Sequence, residues 1–173
     1  MGIFHSIGVL AGALPVPAGT ALGAGGLGIS GAVSADGDLA TLGPITTNGN
    51  GSTRGIYVAV KQGSGVVAAT FNGIYTMVSL STTSSVTATD GRVYTVDVAD
   101  GSFGGAYDEN DAGTASTNHL VAGTYTLAAD GTLQWAFKGG ASMTGTLSAD
   151  GNVFVLTDLT SGEAPTLLVG VRQ

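Results

Sequence analysis

The chain of 173 residues lacks cysteine altogether and has few cations, since Lys and Arg together number five. The missing cysteine excludes disulfide bonds, thiolate metal ligands and thiol chemistry, and it leaves the compartment undecided. A nucleic-acid partner is excluded because it requires a basic face that displaces counterions from phosphate. The scarcity of cations likewise argues against an anionic membrane surface as partner.

Charge of either sign is also sparse, at 10% of residues against about 25% in an average domain, with a net charge of −7. The apolar N-terminal stretch is interrupted by Pro15, Pro17 and several glycines, so no membrane-spanning helix is expected there. Glycine is abundant at 30 residues, and 43% of the chain is hydrophobic. This composition favours a β protein with many tight turns, and a lightly charged surface that does little to oppose self-association.

Strands are predicted from alternating apolar and polar residues, as in "GTLQWAFKG" (131–139) and "RVYTVDVAD" (92–100). The more apolar "NGIYTMVSL" (72–80) is predicted to be a strand covered on both faces. No window of about 11 residues has a helical period. We therefore predict an all-β fold, an antiparallel sandwich or barrel of about 10–12 short strands.

Asp-Gly pairs favour the type I′ turns of β-hairpins, because both central residues adopt positive φ. Five such pairs begin at Asp36, Asp90, Asp100, Asp130 and Asp150. Together with the alternating patterns they predict hairpins, which span 29–42, 85–98, 121–138 and 142–158.

One segment of the chain occurs nearly twice. "SADGDLATL" (34–42) matches "SADGNVFVL" (148–156), and the similarity extends over roughly 10–62 against 121–173. The sequence therefore predicts one and a half copies of a repeat, an N-terminal half-module (1–62) and a full β module (63–173). Gly63-Ser64-Gly65 is interpreted as a flexible linker between them. The apolar N-terminus is expected to form strands rather than a cleaved signal.

The extra half-module predicts self-assembly. One first half completes only one second half, so the remaining half is expected to receive strands from a neighbouring subunit. Such a contact, if it is head-to-tail and does not close, produces a filament. A proline-bearing apolar strand belongs at a sheet edge, where it needs a cover. The predicted assembly residues are Leu14, Pro15, Val16, Pro17, Leu27, Ile29 and Val33.

Other candidate sites are weaker. The acidic run Asp108, Glu109, Asn110 and Asp111 offers the oxygen ligands that Ca²⁺ prefers, with a solvated loop as the alternative, and no other cofactor is expected. Asn50 begins an N-x-S glycosylation pattern.

Two further groups of residues bear on chemistry. His5 and His119 are the only histidines, and no G-x-S-x-G motif accompanies them, so no enzymatic activity is predicted. The aromatic residues either fill a core or line a ligand cavity; they are Tyr75, Tyr94, Tyr125, Trp135 and Phe137.

The stretches "NGIYTMVSL", "AGTYTLAADGTLQW", "GTLSADGNVFVLTD" and "LLVGVRQ" resemble tandem Gly/Asp-rich β-repeats of secreted and surface proteins of bacteria. The resemblance covers 63–173 and part of 10–62, and it implies a structural or adhesive role. The composition is also similar to that of avidin-like barrels, but those use several binding tryptophans and this chain has only Trp135.

The expected function is that of a secreted or cell-surface structural protein that assembles into a filament or other homo-oligomer. Two alternatives stay open: a β-barrel or sandwich module that binds a small molecule or glycan, and a virion decoration or capsid-associated protein.

Overall fold

The computed structural model describes residues 22–24, 27–33, 37–45, 57–82, 89–158 and 165–173. The chain divides into two compact units, Met1–Lys61 and Gln62–Gln173. The boundary predicted from the sequence, between residues 62 and 63, lies one residue later. The described residues form twelve strands and one short 3-10 helix, Ala68–Phe71. The strands are β1 (Leu22–Ala24), β2 (Leu27–Val33), β3 (Leu39–Ile45), β4 (Tyr57–Val60), β5 (Gly73–Thr82), β6 (Thr89–Ala99), β7 (Ser102–Asp111), β8 (Thr114–Leu127), β9 (Thr132–Phe137), β10 (Ser142–Leu147), β11 (Val153–Asp158) and β12 (Thr166–Arg172).

Strands β5 to β12 form a closed antiparallel barrel of eight strands. Each strand pairs with the next one along the chain, and β12 closes the barrel by pairing with β5, with Val169 opposite Val78. The all-β prediction is thus confirmed, and of the two predicted architectures this unit adopts the barrel. Closure leaves the eight strands without a free edge.

Strands β1 to β4 form a separate four-stranded antiparallel sheet, also in chain order. In its register Gly31 lies opposite Leu42 on β2 and β3. Ala40 lies opposite Ala59 on β3 and β4. The described part of the first unit is therefore an open meander.

The barrel interior is filled by large side chains. Trp135 stacks on Phe103 with ring centroids 3.8 Å apart, and on Phe154 at 5.6 Å. Glycines on the neighbouring strands make room for these rings, because a Cβ atom at Gly123 or Gly170 would overlap the ring of Phe103 or Phe154. The buried core comprises Val66, Phe71, Tyr75, Met77, Tyr94, Val96, Val98, Phe103, Tyr125, Leu133, Trp135, Met143, Leu147, Phe154, Leu156 and Leu168.

The 3-10 helix closes one end of the barrel. Its last residue, Phe71, is fully buried, and its ring lies 5.0 Å from Tyr125 and 5.2 Å from Phe154. Arg172 at the end of β12 donates hydrogen bonds to the carbonyl oxygens of Thr70 (2.7 Å) and Asn72. These bonds satisfy backbone acceptors at the C-terminal end of the helix and hold it against the barrel.

Tyr75 is also part of this closed end. Its hydroxyl donates a 2.5 Å hydrogen bond to the carbonyl oxygen of Gly151, and the Arg172 guanidinium lies 5.6 Å from its ring centroid. Burial raises the pKa of Tyr75 to about 12, against the opposing effect of Arg172. The tyrosine is therefore neutral at physiological pH and acts as a donor in the packed end.

The segment predicted to be a flexible linker belongs to the barrel. The Gly63 amide donates to the carbonyl of Leu147 (3.1 Å), and the Gly65 amide donates to that of Ala129 (2.7 Å). Gly63 is buried, and a Cβ atom there would lie 2.8 Å from the Cα of Ala149. Close packing against the β10–β11 turn thus requires Gly63, whereas the positive φ of 71° favours glycine at position 65. The hydrogen bonds of both amides fix the segment against the barrel, so the linker interpretation is wrong.

Three predicted hairpins match the strand pairing, but the hairpin over 85–98 is wrong. Asp90 and Gly91 lie inside β6, where Asp90 is opposite Ser81 on one side and Asp111 on the other. Pairing on both sides thus prevails over a local turn preference.

The prediction that the strand at residues 72–80 is covered on both faces is wrong, since Val78 on the outer face of β5 is 53% exposed.

Candidate functional site

The first candidate site is the pair of outer strands of the N-terminal sheet. Within the described part of the chain, β1 pairs only with β2, and β4 pairs only with β3. The Lys61 amide donates a 2.8 Å hydrogen bond to the carbonyl oxygen of Asp38. Hydrogen-bonded pairs alternate along an antiparallel ladder, so Ala59 also bonds to β3, whereas the amides of Val58 and Val60 point to the outer edge. An edge of this kind is a template for another strand.

Three of the seven predicted assembly residues lie on a different strand. Leu27, Ile29 and Val33 are on β2, an inner strand with neighbours on both sides. The other four, Leu14 to Pro17, fall outside the described residues. Sequence reasoning missed β4 as an outer strand. The signal was the match of "IYVAVKQ" (56–62) with "LLVGVRQ" (167–173). The second stretch forms β12, which has neighbours on both sides in the barrel.

The second candidate site is a cluster inside the barrel at the end opposite the 3-10 helix, which we call the mouth cluster (Asp90, Arg92, Tyr107, Glu109 and His119). Arg92 Nη2 lies 2.8 Å from Asp90 Oδ2 and 2.6 Å from Glu109 Oε1. The guanidinium carbon lies 5.2 Å from the Tyr107 ring centroid, and Tyr107 stacks on His119 at 5.0 Å. One cation thus joins two carboxylates across neighbouring strands and covers an aromatic face.

One acceptor of the mouth cluster has no partner. Asp90 Oδ1 is buried and accepts no hydrogen bond from the described residues. Burial raises the pKa of Asp90, while the charge of Arg92 opposes that rise. A buried oxygen of this kind favours protonation of Asp90 or a donor supplied by a bound molecule.

The acidic run proposed for Ca²⁺ is divided between the two faces of β7. Glu109 points into the barrel and binds Arg92. Asp108 accepts a hydrogen bond from the Asn118 amide (2.9 Å), and Asn110 accepts one from the Gly113 amide (2.9 Å), so both shape the β7–β8 hairpin. Asp111 is exposed at the end of the strand. No group of three or more His, Asp or Glu side chains that could hold a metal ion occurs in the part of the chain that the structure describes.

The remaining candidate residues lie in different surroundings. Tyr75, Tyr94, Tyr125 and Trp135 are buried in the barrel core, and Phe137 packs against it, as expected of core-filling residues. The His119 Nε2 atom is 2.8 Å from Ser116 Oγ. Asn50 and His5 fall outside the described residues.

A shallow depression of about 320 Å³ lies on the outer face of β8, β9 and β10, and its lining includes Thr124, Thr126, Gln134 and Thr144. Hydroxyl and amide groups there are suited to hydrogen bonding with a sugar. The Trp135 ring beneath it is only 1% exposed, however, so the depression offers no aromatic surface for stacking.

Comparison with known proteins adds no relative: no family model, no curated protein and no solved structure matches this chain. Among the described residues, none of the helices has the length and apolar character needed to cross a bilayer.

Proposed function

We propose that this chain is a structural protein that assembles with itself by strand complementation through its N-terminal sheet, in a secreted or cell-surface setting. The observation that carries the proposal is the strand pairing of β1–β4. It reproduces that of β9–β12, yet its outer strands lack, among the described residues, the neighbours that β9 and β12 have.

The registers of the two sheets support a repeat. The sequence match equates Gly31 and Leu42 with Gly145 and Leu156, and both pairs lie directly opposite each other in their sheets. The same holds one strand further on, where Ala40 opposite Ala59 corresponds to Phe154 opposite Gly170. In the barrel the Phe154 ring occupies the space above Gly170. In the N-terminal sheet, Ala40 and Ala59 stand in place of this large and small pair. The two positions are still directly opposite each other, as expected of a repeated element.

A hydrogen bond at the end of the ladder supports the same equivalence. The Lys61 amide donates to the carbonyl of Asp38, and the Arg172 amide donates to that of Asn152, both at 2.8 Å. Lys61 and Arg172 match in the sequence repeat, as do Asp38 and Asn152. The N-terminal sheet therefore has the pairing of half a barrel.

A sheet that corresponds to half a barrel has two outer strands, and the backbone groups along their outer edges need hydrogen-bond partners. In the barrel β12 pairs onward with β5, and β9 pairs back with β8. Their counterparts β4 and β1 have no such neighbours among the described strands. Main-chain amides and carbonyls at these edges are satisfied by water or by another strand, and the second option adds buried apolar area to the ladder bonds.

The test is the mass of the full chain in solution, measured by sedimentation and light scattering across a wide concentration range. Assembly is expected for the wild type. The variant Val60→Pro, which removes an amide pointing to the outer edge of β4, should weaken it at least tenfold. Val60→Thr keeps the amide and the β-branched shape and should assemble normally. A wild-type monomer at every concentration would refute the proposal.

A second candidate function is binding of a small molecule at the barrel mouth, favoured by the unpartnered Asp90 Oδ1 beside aromatic rings. Eight-stranded barrels have interiors just wide enough to be filled or to hold one small ligand. The test is thermal stabilisation by a panel of small primary amines, which carry the missing donor. Stabilisation of the wild type but not of Asp90→Asn would support binding, and no stabilisation of either would count against it.

A further inference from the structure

We propose that the partner of the N-terminal sheet is the N-terminal sheet of a second copy, and that the two sheets close into one eight-stranded barrel about a twofold axis. This inference rests on the proposed function and names its partner. The assembly it describes is a closed dimer rather than a filament.

Strand number and strand direction favour this closure. The sheet β9–β12 supplies four of the eight strands of the barrel seen in this chain. Two copies of β1–β4, with the corresponding registers, supply eight. Because four antiparallel strands begin and end in opposite directions, β4 of one copy runs antiparallel to β1 of its partner. A twofold rotation about the barrel axis then makes every neighbouring pair antiparallel and creates the same contact twice, as isologous dimers do.

The alternative partner, β5–β8 of another copy, is already occupied. Its outer strands are paired with β12 from Ser81 to Tyr75 and with β9 from Gly123 to Leu127. Offering them to a neighbour would break both ladders and expose the Trp135 and Phe154 rings, which are at most 1% exposed in the closed barrel. A homotypic barrel requires neither change.

Stoichiometry leads to the same partner. Under the repeat, each chain carries two second-half sheets, β1–β4 and β9–β12, but one first-half sheet, β5–β8. Any exchange in which β1–β4 takes the place of β9–β12 therefore leaves another four-stranded sheet with open edges. Pairing β1–β4 with its own kind leaves none open, so each assembly stops at two chains.

The experiment uses the absence of cysteine, which makes introduced thiols the only ones in the chain. Gly23→Cys places a thiol on β1, and Val60→Cys places one on β4. The two full-length variants are co-expressed and treated with a short bismaleimide. The expected product is a covalent dimer that contains one chain of each variant, at least tenfold more abundant than the dimer from either variant alone. Neighbouring strands are only about 4.8 Å apart, whereas β1 of one copy lies across the barrel from β1 of the other.

Matched controls and the wild-type mass separate the outcomes. Thr95→Cys, on the exposed outer face of β6, should give no such product with Val60→Cys. Sedimentation of the untreated wild type, which no mutation perturbs, should show two chains at saturation. Filaments, or rings of more than two chains, would overturn the twofold barrel and leave self-assembly standing. A monomer throughout would overturn both proposals.

Discussion

At the scale of single residues, the barrel depends on glycines that leave space for aromatic rings. Gly123 is opposite Phe103 on β7, and a Cβ atom there would overlap both that ring and the carbonyl oxygen of Ala136. We expect Gly123→Ala to lower the free energy of unfolding by about 1–3 kcal/mol, as overpacking of a filled core does. Urea unfolding followed by Trp135 fluorescence measures the change.

Gly104 on the same sheet provides the control for that substitution. A Cβ atom there would be 3.9 Å from the nearest atom, the carbonyl oxygen of Val121, which is ordinary contact. The free energy of unfolding of Gly104→Ala should therefore lie within about 0.5 kcal/mol of the wild-type value, or slightly above it, because alanine has less conformational freedom to lose on folding. Equal destabilisation by the two substitutions would mean that ring space is not what requires Gly123.

The mouth cluster yields a prediction about charge. Arg92→Met leaves the carboxylates of Asp90 and Glu109 close together without their shared cation. Because the Arg92 side chain is 35% exposed, water screens part of the effect, and we expect a loss of about 1–2 kcal/mol at pH 7. The loss should be smaller at pH 3.8, because burial raises the pKa of Asp90 above that value and its protonation removes one of the two negative charges. A loss that is the same at both pH values would assign it to packing instead.

Asp90 has its own pH dependence. Burial raises its pKa above the ordinary value of 3.8, so the folded chain favours the protonated form. The stability that this provides is fully present below pH 3.8 and is lost as pH rises through the folded pKa. Asp90→Asn should therefore flatten the dependence of the melting temperature on pH above pH 3.8 and leave the melting temperature at lower pH nearly unchanged. A slope equal to that of the wild type would contradict this.

At the scale of elements, two hairpin turns of the barrel share one backbone geometry but differ in their first residue. Asp100 and Gly101 have φ of 48° and 82° between β6 and β7, and Ala112 and Gly113 have 49° and 93° between β7 and β8. Both are two-residue turns with positive φ, for which Asn-Gly and Asp-Gly are preferred. Alanine in this conformation is strained by roughly 1 kcal/mol.

The reciprocal substitutions test that strain. Ala112→Asn should raise the free energy of unfolding by about 0.5–1 kcal/mol, because asparagine tolerates positive φ better. Asp100→Ala should lower it by a similar amount at the equivalent position of the neighbouring turn. Thermal unfolding of the two variants beside the wild type is the measurement, and changes of the same sign would count against turn strain as the cause.

These turns also show how far the sequence reaches. Asp-Gly chemistry located the reversals at Asp130 and Asp150 because the turns are local: Asp150, for example, accepts hydrogen bonds from the Ser148 hydroxyl (2.6 Å) and the Asn152 amide (3.0 Å). Asp90-Gly91 was misassigned because pairing with β5 and β7 is long-range. Ala112-Gly113 was missed because alanine carries no turn signal.

At the scale of the whole molecule, the internal similarity of the chain was visible in the sequence, whereas barrel closure and the mouth cluster were not. The match of 34–42 with 148–156 is a comparison of consecutive residues, so the sequence alone is enough to find it. Closure depends on β12 meeting β5, with Leu168 opposite Ser79 across the chain. The salt bridges of Arg92 likewise depend on which strands become neighbours, and no local pattern specifies that.

The two units should respond differently to dilution. Every strand of the barrel is paired within residues 62–173, so its stability is set by one chain, whereas a sheet completed by a partner gains stability by mass action. Trp135 is the only tryptophan and is buried in the barrel core, so its fluorescence reports on the barrel. We expect the melting temperature seen by Trp135 to stay constant over a hundredfold dilution and in Val60→Pro. The sedimentation coefficient should fall in both cases. A fluorescence transition that moved with concentration would instead show that the barrel strands exchange between chains, which is the route to a filament.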